Sequence, residues 1–98
     1  MKHFNDDFPD ICRLATKTWG VESQEAMAVG EIGELLTMFG RRVQYRDCED
    51  QWIDEIADCL IMLNQLAHLH GYNKVEDRVG DKIHRLRLKL MKANAVEL

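Results

Sequence analysis

The chain has 98 residues, 46% of them apolar and 31% charged, with a net charge of −4 at pH 7. That is a soluble globular composition for one domain, residues 1–98, and its apolar content argues against a disordered chain. The longest unbroken apolar run, Cys59 to Leu63, is far too short to span a bilayer, and the first residues lack the apolar stretch of a secretory signal, so a cytoplasmic protein without a membrane partner is expected.

Three cysteines, Cys12, Cys48 and Cys59, are an odd number without zinc spacing, and are expected to be reduced thiols. The charge is unevenly spread. Residues 1–73 carry 6 Lys/Arg against 13 Asp/Glu, a net of −7, and residues 74–98 carry 7 against 4, a net of +3. An acidic body argues against a nucleic-acid polymer as partner. It suits a site that gathers a metal cation and then needs positive groups for a polyphosphate.

No alternating run is long enough for a strand, and the pattern predicts four helices. The first runs from about Pro9 to Thr18, with Pro9 in the first turn and Gly20 at the end. Ser23 is the expected N-cap of the second, which reaches about Arg42 with Met27, Leu35, Met38 and Phe39 on its apolar face. Gly30 and Gly33 within it mark places where another backbone or a ligand comes close. Gln44 to Asp47 form a connection; Asp47 or Glu49 opens the third helix, and Gly71 closes it. Asn73 and Glu76 resemble a capping box for the fourth, which ends near Lys92.

Of the 14 residues from Ile56 to Leu69, 10 are apolar and cover more than one face of the third helix. A small monomer needs only one apolar stripe per helix. Part of this surface is therefore expected to be buried by a second copy, in a homodimer or a dimer of dimers.

Two acidic pairs stand out, Glu31 with Glu34 on the second helix and Glu55 with Asp58 on the third. Spacing of i, i+3 places each pair on one helix face, where like charges repel and neither helix gains. In an antiparallel hairpin, residues at equal height have numbers with a constant sum. The pairs Glu31/Asp58 and Glu34/Glu55 share one sum, and its hinge falls between Gln44 and Tyr45, inside the connection. A central antiparallel helix pair would thus bring four acids to one level, about 16 Å from the turn. Oxygen ligands without histidine favour Mg²⁺, with Mn²⁺ as substitute, whereas a di-iron bundle would need Glu-x-x-His pairs. His68 and His70 are expected to be ordinary polar or interface residues.

At these residues the chain resembles the MazG-like all-α nucleoside triphosphate pyrophosphohydrolases, whose signature is ExxE, a spacer, then ExxD. The match is Glu31-Ile32-Gly33-Glu34, a spacer of 20 residues, then Glu55-Ile56-Ala57-Asp58, with Leu66 to Gly71 resembling the segment that follows. The resemblance implies an all-α, four-helix bundle-like, homo-oligomeric domain that hydrolyses a (d)NTP to the monophosphate and pyrophosphate. It implies Glu31, Glu34, Glu55 and Asp58 as Mg²⁺ ligands and catalytic groups, and Lys82 and Arg85 of the last helix on the phosphates. Trp19 and Trp52 are candidates for stacking on the base. The chain lacks a Cys-Pro-Trp-Asp-like N-terminal element and has Gly30 where full MazG proteins carry a further glutamate. Both departures point to compact members acting on deoxynucleotides such as dCTP or dUTP. Two other readings stay open: phosphoribosyl-ATP pyrophosphatase, and a non-catalytic helical dimerisation or regulatory module.

Overall fold

Two glycines with left-handed backbones divide the chain where side chains would resist the turn. A computed structural model describes residues 1–93 and is helical, with no strand among them; the last five residues of the expected domain, 94–98, lie outside the described residues. A single 3-10 turn at Lys2–Phe4 precedes α1 (Phe8–Trp19), α2 (Val21–Gly40), α3 (Glu49–His70) and α4 (Tyr72–Lys92). None of these helices is long and apolar enough to cross a membrane.

Pro9 sits in the first turn of α1, where its missing N–H costs nothing. Gly20, at φ +87°, ends α1 by donating its N–H to Thr16 O at 2.8 Å. The same glycine is the N-cap of α2, so that helix starts at Val21 and Ser23 falls inside its first turn rather than capping it. Gly71, at φ +107°, plays the same double part between α3 and α4. With Gly71 as the cap and Tyr72 already helical, the Asn73–Glu76 capping box does not form. The Glu76 carboxylate, one turn further along α4, holds the Tyr72 phenol above its ordinary pKa by favouring its protonated form, with burial adding to the effect.

The α2–α3 pair is the most extensive packing in the molecule. Gln65 Nε2 donates to Gln24 Oε1, the Cys59 thiol donates to Glu31 O at 3.3 Å, and the rings of Phe39 and Trp52 meet edge-on at 5.0 Å. Numbers rise along α2 as they fall along α3, so the helices run antiparallel. Trp52 fastens the turn between them: its indole N–H donates to Tyr45 O at 2.8 Å. α1 lies across this pair, burying Phe8 and Cys12 beside a core that includes Ala28, Met38, Cys59 and Met62. Among the described residues, Gln24 is the only large side chain with less than 2% of its surface exposed. Buried amides cost stability unless paired, and Gln24 and Gln65 satisfy each other.

α4 is different. It packs on α3 next to Gly71, and every residue from 73 to 89 is exposed. Across the described residues the chain is thus all-α with four α-helices, of which α1–α3 form the packed body and α4 extends from it. The radius of gyration is 16.5 Å, against about 13 Å for a compact domain of this length.

Candidate acidic site

Helical spacing sets Glu31 and Glu34 one turn apart on α2, and the antiparallel register sets Glu55 of α3 against them. One carboxylate oxygen from each of Glu31, Glu34 and Glu55 lies within 4.8 Å of the other two. Glu31 and Glu55 are half-buried and Glu34 is exposed. Asp58, one turn along α3 from Glu55, is exposed and stands outside this tight group. Its charge still reaches both half-buried acids.

Burial pushes the Glu31 carboxyl above the ordinary carboxylate range, and the negative charges of Glu34 and Asp58 push it further. Glu55 is raised for the same reasons, burial first and then the charge of Glu34. No cation relieves them: among the described residues the one ion pair joins Arg13 to Asp10, within α1. Glu31 Oε2 and Glu55 Oε2 are buried atoms without a hydrogen-bond partner. An acceptor shielded from water is disfavoured unless it is paired, and these two oxygens face one another's negative charge instead of a donor. An oxygen-only donor set carrying several negative charges fits a hard dication such as Mg²⁺ or Mn²⁺. The neighbouring Cys59 thiol, which burial and then the same acids push up, stays protonated and acts as a donor to the helix backbone.

Beside the acids runs an open groove of about 480 Å³, lined by Gly30, Gly33, Thr37, Tyr45, Gln51 and both Glu34 and Glu55. A Cβ built on Gly30 or Gly33 would meet nothing within 4 Å. No second backbone approaches these glycines within the described chain. Their lack of side chains leaves the groove floor open.

The other candidate residues are not brought to this site. Lys82 and Arg85 are exposed on α4, the helix that leaves the body. Trp19 is 60% exposed at the end of α1. Trp52 is half-buried and occupied by its contacts with Phe39 and Tyr45, so its role is to close the hairpin. His68 stacks on Tyr72 at 4.6 Å, near Phe8, away from the acids, and its Nε2 is buried without a partner. The sequence reading missed the groove residues Thr37, Tyr45 and Gln51. Thr37 was open to inference, being i+4 from Gly33 and i+3 from Glu34 on one helix face.

No protein-family profile matches the chain, and neither does any curated protein or solved structure. What fold and site define together is an all-α protein with an acidic cluster on an antiparallel helix pair.

Proposed function

We propose that the protein is a magnesium-dependent nucleoside triphosphate pyrophosphohydrolase of the MazG-like kind, converting a (d)NTP and water to the monophosphate and pyrophosphate. The observation that carries this reading is the convergence of Glu31, Glu34 and Glu55 within 4.8 Å, with two buried carboxylate oxygens unpaired and, among the described residues, no ion pair to neutralise them. A bare cluster of this kind opposes folding, so a cation is the partner that would offset its cost.

In this reading Glu31, Glu34, Glu55 and Asp58 hold Mg²⁺, with Mn²⁺ able to replace it. The bound ion supplies charge neutralisation for the triphosphate and a fixed orientation for the attacking water. The glycine-floored groove beside Glu34 and Glu55 receives the nucleotide, where Gly30 and Gly33 permit close approach. One of the glutamates orients the water and accepts its proton as oxygen bonds to the α-phosphorus. The bond from the α-phosphorus to the bridging oxygen breaks, and pyrophosphate leaves. Holding the reactants in line and balancing phosphate charge are the two large terms in such a reaction. Lys82 and Arg85 are the phosphate cations in this reading, and they require a copy of α4 placed beside the acids.

Purified protein with Mg²⁺ and a panel of dNTPs and NTPs tests this directly. Release of pyrophosphate rather than orthophosphate is expected, abolished by EDTA and by Glu34→Gln or Asp58→Asn with the helical circular dichroism unchanged. Absence of hydrolysis across the panel would overturn the reading in favour of a non-catalytic helical module.

A further inference from the structure

Tyr45 lies in the turn between α2 and α3, yet three hydrogen bonds fix its backbone. Its N–H donates to Arg41 O at 3.3 Å, and its carbonyl accepts from the Cys48 N–H at 3.1 Å and from the Trp52 indole at 2.8 Å. Its ring meets that of Trp52 nearly at right angles, 79°, with centroids 6.5 Å apart, so this contact covers one face of the phenol at most. Trp52 is braced in turn by Phe39. A loop aromatic held in this way is preorganised, and little freedom remains to be lost when a ligand meets it.

Tyr45 also walls the groove of about 480 Å³ that contains Glu34 and Glu55, a volume in the range of small-molecule sites. The groove has two chemically different ends. Gln51 is exposed one helical turn before Glu55, about 6 Å nearer the hinge, and Thr37 stands on the same side of Glu34. Thr37 Oγ1 donates to Gly33 O at 2.8 Å, which commits its proton. Among the described residues, Glu34 and Glu55 are the only charged groups that line the groove. A cation on these acids would draw a polyphosphate to their end. The uncharged hinge end suits a flat, neutral ring with a hydrogen-bonding edge.

We propose that the hinge end of this groove is a nucleobase subsite, in which the base lies on the ring of Tyr45 and pairs its edge with the side-chain amide of Gln51. The subsite rests on the functional reading above. It divides the labour between two residues. Every base presents a π-face, so Tyr45 supplies affinity with little preference. The amide carries donor and acceptor side by side and reads an edge, so Gln51 sets the choice of base.

The chain has two tyrosines, so ring-labelled protein gives two sets of signals to follow by NMR. A dNTP with a methylene in place of its α,β-bridging oxygen, added with Mg²⁺, should move the Tyr45 ring signals upfield and leave those of Tyr72. Methyl triphosphate, which has no base, should move neither. Tyr45→Ala should lower kcat/KM on dNTPs roughly ten- to hundredfold, well beyond its effect on methyl triphosphate, and Tyr45→Phe should keep the parent's value. Gln51→Leu should narrow the spread of kcat/KM across the four dNTPs about tenfold. An unmoved Tyr45 ring, equal losses on dNTPs and methyl triphosphate in Tyr45→Ala, or an unchanged spread in Gln51→Leu overturns the subsite, and pyrophosphate release would still stand. A Tyr45 shift without pyrophosphate release would sink the activity and leave the base subsite in place.

Discussion

Replacing Glu31 by Gln keeps the side chain's shape and removes one charge from the cluster. The oxygens lie within 4.8 Å, where two unit charges repel by about 0.9 kcal/mol in water. Glu34 is exposed, so salt and solvent reduce that repulsion to about 0.3–0.5 kcal/mol, the range found for like charges one helical turn apart. A domain of this size gains about 4–8 °C in Tm per kcal/mol. Without metal, Glu31→Gln should therefore melt about 1–4 °C higher than the parent. Magnesium at about 100 times its Kd should stabilise the parent by about 2.7 kcal/mol, more than 10 °C, and the variant should lose most of that shift. Thermal melts of both proteins in EDTA and in Mg²⁺, followed by circular dichroism, measure the four values needed. A variant that is less stable in EDTA, or one with the parent's full magnesium shift, would refute the reasoning.

Gln24→Leu or Gln65→Leu alone should lower stability by about 1–3 kcal/mol, since each leaves a buried amide unpaired, and the double variant should recover most of the loss. Equal losses in all three, measured by urea titration, would show that the pair does not lock the α2–α3 register. Glu31 and Glu55 carry raised pKa values, so their repulsion is absent below the ordinary carboxylate range and fully present above the raised values. Metal-free stability should fall across that window as pH rises while Mg²⁺ affinity climbs, and a Glu31→Gln/Glu55→Gln protein should flatten both profiles; parallel profiles would contradict this. Gly33→Leu should keep the fold, because open space surrounds that position, yet raise KM by filling the groove beside Glu34. An unchanged KM would place the nucleotide elsewhere.

Helix periodicity and punctuation were legible in the sequence because they depend on neighbours a few residues apart. Pro9, Gly20 and Gly71 mark helix ends through backbone sterics alone, and the i, i+3 spacing of the acids follows from helix geometry. Ser23 and Asn73 misled because a glycine just upstream had already taken the cap in each case. Trp52 carried no local sign that its indole would be spent on Tyr45 O. The Gln24–Gln65 bond joins residues 41 apart, and no pattern within either helix announces it.

The amino-acid order by itself determined an all-helical chain with two acidic pairs on helix faces and an apolar excess beyond one core, since each is set by local spacing and composition. Tertiary packing alone decided that Asp58 stands at the edge of the cluster formed by Glu31, Glu34 and Glu55, and that α4 leaves the body with its basic residues. The physical reason is that register and docking depend on long-range contacts, whose energies come from how surfaces fit, and helical spacing sets only which surfaces exist.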